Sequence, residues 1–151
     1  MNLFETVSED IKKAMLAKEK DKLEAYRAVK TAFLLARTEA GAGGELTSEA
    51  ELKIVQKLVK QRRESAEIYQ QQNRPDLADK ELLEASVIEQ YLPAQMSEQE
   101  LETVLKAIIE RVGAKAPSDM GKVMGVATKE LSGKADGKAI SAKVRHLLSL
   151  S

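Results

Sequence analysis

Apolar residues in this chain recur at three- and four-residue intervals along most of its length, the spacing that puts them on one face of an α-helix. The cleanest case is Leu101, Val104, Leu105, Ile108 and Val112. Composition agrees. Three Pro and eight Gly in 151 residues leave few helix breakers. Ala, Leu, Glu, Lys and Gln, which lose little freedom in a helix, dominate. Aromatics make up 3%, too few for an ordinary sheet core. The chain is expected to be all-α.

Stop and start signals divide it into seven helices. Leu3, Val7, Ile11, Ala14 and Met15 mark a first stripe, which ends at the hydrophilic junction KEKDK, residues 18–22. A second helix over about residues 21–40 carries Tyr26, Val29, Phe33 and Ala36 and stops at the glycines of residues 41–44. Ser48 and Glu51 have the spacing of a capping box opening a third helix, with Leu52, Val55, Val59, Ala66 and Tyr69 inward. Pro75 suits the first turn of a fourth, whose stripe is Leu83, Val87, Ile88 and Tyr91 and which stops before Pro93.

Residues 93–96 are the expected domain boundary, separating a four-helix region, residues 1–95, from a small three-helix domain, residues 96–151. Ser97 and Glu100 form a second capping box ahead of helix five. Ser118 or Asp119 is expected to cap helix six, with Met120, Val123, Met124, Ala127 and Leu131 inward, and Asp136 to cap helix seven, with Ile140, Val144, Leu147 and Leu148 inward.

Several chemistries are excluded at once. With no Cys there is no disulfide, thiolate catalysis or Cys-ligated metal; with one His there is no two-His metal site. No apolar run is long enough to span a bilayer, and the N-terminus lacks a signal-peptide pattern. A cytoplasmic protein without cofactor or metal is expected. Net charge is zero, from 24 basic and 24 acidic residues, but it is unevenly placed. Residues 111–151 hold eight basic against three acidic residues, a net of +5.

Five features bear on chemistry. Around Gly133 and Gly137 the sequence SGKADGKA imitates a phosphate loop, but only three residues separate the glycines and Ala139 stands where a magnesium-binding hydroxyl belongs. What remains is a turn between helices, or a helix start with Lys134 and Lys138 able to meet a phosphate. Gly121 and Gly125 sit inside a helix at a cost of about 1 kcal/mol each, which points to close approach of another backbone, first of all a neighbouring helix. Lys53, Lys57 and Lys60, with Arg62 and Arg63, form a basic face interleaved with acids and read as solvated surface. His146 lies near the end of the last helix, where its charge is favourable without any catalytic role. Asp76, Asp79, Glu81 and Glu84 lie on early helix turns, where acids are favoured.

Residues 62–93 (RRESAEIYQQQNRPDLADKELLEASVIEQYLP), DMGKVMG at residues 119–125 and GKADGK at residues 133–138 resemble, in order and spacing, the GatB/YqeY family. The resemblance implies an N-terminal helical bundle followed by a small three-helix domain. Similar domains form the tail of the B subunit of the tRNA-dependent amidotransferase, which contacts the outer corner of tRNA. It therefore implies tRNA or a tRNA-handling complex as partner. Lys122, Lys134, Lys138 and Lys143 become candidate RNA contacts, and Gly121, Gly125, Gly133 and Gly137 shape the surface. The family label also implies carbon–nitrogen ligation with glutamine as amide donor. The residues show no nucleophile with its activating network and no nucleotide site, so no catalytic residue is assigned, and a protein-interaction domain with no RNA role stays open as a further reading.

Overall fold

The computed structural model describes residues 2–40 and 44–150, and every ordered element in them is helical. The helices are α1 (Leu3–Ala17), α2 (Lys20–Ala40), α3 (Ser48–Gln71), α4 (Pro75–Glu89), α5 (Glu98–Val112), α6 (Met120–Glu130) and α7 (Gly137–Ser149), with a 3₁₀ turn at Pro117–Asp119. The chain is all-α, as its periodicity requires. The glycines at 41–43 expected to stop α2 lie outside the described residues. Two compact units are present, dividing between Leu92 and Pro93. No helix among the described residues is long and apolar enough to cross a membrane.

In the first unit α3 and α4 form a hairpin. Asn73 adopts a left-handed conformation (φ 58°) and Arg74 donates its amide to the Tyr69 carbonyl at 2.8 Å, reversing the chain into Pro75 at the first turn of α4. α2 packs against both α4 and α1. Val7, Val29, Phe33, Val55, Val59, Ala85 and Ile88 meet in one core. The stripes expected from spacing hold along most of each helix and fail at two places. Met15 is 54% exposed, and Leu83 is 44% exposed. Both have the right phase, but a helix side is buried only where another helix covers it. The KEKDK junction is also shorter than expected. Lys18 takes a left-handed conformation (φ 57°) and its amide closes α1 onto Ala14 and Met15, so α2 starts at Lys20.

The expected capping box of Ser48 and Glu51 does not form. Thr47 is the N-cap of α3, its side chain accepting from the Ala50 amide at 3.1 Å. Glu51 is turned inward, 2% exposed, and its Oε2 accepts from the Phe4 amide at 3.2 Å. A carboxylate brought from α3 thus serves the positive end of α1. The Asn2 side chain accepts from Glu5 in the same turn at 2.9 Å. The Phe4 ring lies under the Arg37 guanidinium, 3.9 Å from its centroid.

At the far end of the same unit, the Tyr91 hydroxyl donates to Asp10 Oδ2 at 2.6 Å and its ring meets Tyr26 with centroids 6.0 Å apart. Burial, then the bond to Asp10, pushes the Tyr91 phenol far above its ordinary range, and burial raises Tyr26 as well.

In the second unit the Ser97–Glu100 capping box forms with both reciprocal bonds, and Gly113 closes α5 at φ 71°. Leu101, Leu105, Ile108, Val123, Ala127, Leu131, Ile140, Val144 and Leu148 make the core. Asp119 stands before α6 but does not cap it. Its carboxylate reaches back to the Lys115 and Ala116 amides at 3.0 and 3.2 Å and braces the 3₁₀ turn, and those bonds hold it below the usual carboxylate range. Asp136 occupies the N-cap of α7 without a side-chain cap bond.

Two expectations follow from the first unit. Glu51→Ala leaves the Phe4 amide without its acceptor and should lower unfolding free energy by about 1–3 kcal/mol, with Glu51→Gln losing less, read by urea denaturation. The folded phenols hold their protons at pH values where unfolded tyrosine, with an ordinary pKa of about 10, has lost them. Their contribution is complete below pH ~10 and falls as pH rises beyond it. Urea midpoints measured from pH 8 to 11 should show this fall, and Tyr91→Phe should flatten it.

Candidate nucleic-acid interface

Most of the excess positive charge lies in the second unit, and the structure separates its lysines into different situations. Lys134 and Lys138 are both exposed and flank the turn between α6 and α7. Gly133, at φ 77° and buried, makes that turn possible, because an L side chain there is strained. Gly137 begins α7 and is exposed, with open space where a Cβ would stand. Asp136 makes no cap bond, so the first amides of α7, between Lys134 and Lys138, have no side-chain cap.

Lys122 is exposed as well but belongs to another place. It lies in the first turn of α6, and the rise of a helix puts it about 12 Å along the axis from Glu130, before the turn begins. Lys143 differs again. Its side chain is 20% exposed and its Nζ lies 4.0 Å from Glu98, at a shallow groove between α5 and α7 lined also by Leu101, Ala139, Ala142 and His146. Among the described residues, Lys122, Lys134 and Lys138 make no ion pair within 4 Å, whereas Arg111 is bound to Glu130 at 2.8 Å.

The glycine pair in α6 is a correction. Gly121 and Gly125 were expected to admit a neighbouring helix, yet nothing lies within 4 Å of a Cβ built at either. Both are exposed. They leave a strip of bare helix backbone facing outward, because the inward side of α6 is carried by Val123 and Ala127.

The other chemical candidates resolve as surface or frame. Lys53 pairs with Glu49 at 3.5 Å and Arg63 with Glu89. Arg62 donates to the Leu58 carbonyl at 3.3 Å. Asp76 is held below its ordinary range by its hydrogen bond to Arg74, and Glu84 is raised by burial. His146 is exposed, and Ser149 Oγ donates to its backbone carbonyl at 2.6 Å rather than to the ring. Among the described residues no three His, Asp or Glu side chains come together as a metal-binding group.

Sequence reasoning missed one residue of this site. Gln95 Nε2 donates to the Gly133 carbonyl at 2.7 Å. No local spacing signals that bond, since 38 residues separate the partners.

The family model for YqeY-like proteins matches residues 4–148. The chain belongs to the YqeY-like family. Among curated relatives, this YqeY-like chain is 31% identical to a Clavispora lusitaniae protein named altered inheritance of mitochondria protein 41, mitochondrial, over 74% of its own length and 65% of the relative's. A protein of the same name from Pyrenophora tritici-repentis is 27% identical over 92% of this chain and 77% of the relative. The match to the first spans slightly less than two thirds of that protein.

The glycines differ in what they tolerate. Gly121→Ala and Gly125→Ala place a methyl in open space and replace the poorest non-proline helix former, so each should raise stability by about 0.5–1 kcal/mol. Gly133→Ala should lower it by about 1–2 kcal/mol, because of the left-handed backbone. Thermal melts of the three variants distinguish the positions.

Proposed function

We propose that this YqeY-like chain is a binding module that engages tRNA or a tRNA-handling complex through its C-terminal three-helix unit, without an active site of its own. The observation that carries the reading is the pair Lys134 and Lys138, exposed and free of ion pairs among the described residues, on either side of an α7 start whose amides have no side-chain cap. Charge and amide donors together are what a phosphate oxygen takes. Lys122 supplies a second contact point along α6, beside a strip of backbone that Gly121 and Gly125 leave uncovered.

The absence of aromatic residues from residues 97–151 determines the kind of recognition. With no Phe, Tyr or Trp and one imidazole, His146, stacking contributes little and the module reads backbone and shape. A folded RNA with a fixed phosphate arrangement, such as tRNA, suits this better than a single strand. Family membership supports the reading through the tail-like domains that the family shares.

Fluorescence anisotropy of labelled tRNA at several salt concentrations tests it, with a duplex of similar size as control. Saturable binding with a preference for tRNA is expected. The double variant Lys134→Glu/Lys138→Glu should bind at least about tenfold more weakly, with a slope of log K against log salt shallower by about two. No binding of wild type at low salt would sink the reading and direct the search to protein partners.

A further inference from the structure

The turn between α6 and α7 is not held by its own unit's helices alone. Inside the turn, Lys134 donates its amide to the Leu131 carbonyl at 2.9 Å. Two further bonds come from the segment that joins the units. The Met96 amide donates to the Lys134 carbonyl at 3.0 Å. Gln95 Nε2 donates both to the Gly133 carbonyl at 2.7 Å and to the Pro93 carbonyl at 3.0 Å. One side-chain amide therefore ties the first residue after Leu92 to the glycine that shapes the basic turn. Gly133 is buried and left-handed, so its carbonyl direction is fixed, and Ser132 Oγ beside it is buried without a hydrogen-bond partner among the described residues. The two bonds fall on the peptides either side of the Lys134 Cα, the point at which the Lys134 side chain leaves the backbone.

We propose that Gln95 is a positioning residue for the basic turn, and that through Gln95 and the Met96 amide occupancy of the turn is linked to the order of residues 93–96. The second half of the proposal rests on the RNA-binding reading; the first does not. A ligand that clamps Lys134 stiffens the carbonyls that Gln95 and Met96 use, and linkage requires the reverse effect to be equal in free energy. Order in the joining segment then raises affinity at the turn, and an occupied turn reduces the freedom of the segment.

The test uses the full chain, wild type and Gln95→Leu, which keeps bulk and charge and removes the N–H donor. Without RNA, amide hydrogen exchange at Met96 and Lys134 should quicken by about three- to tenfold in the variant, with the interiors of α5 and α7 unchanged. With tRNA, the salt slope of the variant should become shallower by about one, as in Lys134→Ala, an effect that loss of stability alone does not produce. In the wild type, tRNA should slow exchange at Met96. Unchanged exchange at Met96 and Lys134 in Gln95→Leu would overturn the positioning role whether or not RNA binds. Tight wild-type binding with an unaltered Met96 amide and an unaltered salt slope in the variant would overturn the linkage alone. Failure of the wild type to bind tRNA would overturn the linkage together with the functional reading, while the exchange comparison still decides what Gln95 holds. Where Gln95→Leu fails to fold, the wild-type exchange at Met96 with and without tRNA decides the linkage.

Discussion

Each α-helix leaves about four amides without partners where it starts and four carbonyls where it stops. A chain built of short helices has many such ends, and how they are satisfied governs the rest of this structure. Some are met locally, as where Ser97 and Glu100 cap each other. Others draw on a distant residue, as where Glu51 serves the Phe4 amide. At the start of α7 the side chain that could cap, Asp136, does not. The first two arrangements each act within one unit. The third leaves the start of α7 without a side-chain cap, and it lies between the exposed Lys134 and Lys138.

Legibility in the sequence followed the distance between partners. The capping box at Ser97 was readable because both residues fall within one turn. The same pattern at Ser48 misled, since Glu51 is claimed by an amide 47 positions away and the cap passes to Thr47. Stripes were readable where neighbours cover the helix and unreadable where none does, near the end of α1 at Met15 and midway along α4 at Leu83. Gly121 and Gly125 show the same limit. Their cost in a helix can be read from the sequence, but which side of α6 they face depends on where α5 and α7 pack. The lysines were identified by type and motif, yet only the fold separates Lys134 and Lys138 from Lys122 by the length of α6 and seats Lys143 beside Glu98.

Zero net charge conceals this division of labour. The first unit sets 15 basic against 17 acidic residues, some of them in ion pairs such as Lys80 with Glu24 at 3.3 Å and Lys22 with Glu19 at 2.9 Å. Such exposed pairs add little stability, but they neutralise the surface. The second unit leaves several lysines unneutralised. Beyond ~10 Å at 0.1 M salt a partner senses the local excess and not the chain's total. A chain with no overall charge can therefore present a cationic end to a polyanion.

The size of that end also sets what it can do alone. Each neutralised phosphate contributes about −0.9 to the slope of log K against log salt on a duplex. For two contacts, raising salt from 50 to 200 mM costs roughly tenfold in affinity, and for three roughly fortyfold. A footprint this small, without aromatic stacking, gives modest affinity and sequence tolerance. It becomes selective when a second contact on the same assembly raises the effective concentration. On the proposed reading the module is suited to work tethered or in company, and its first unit has a core of its own.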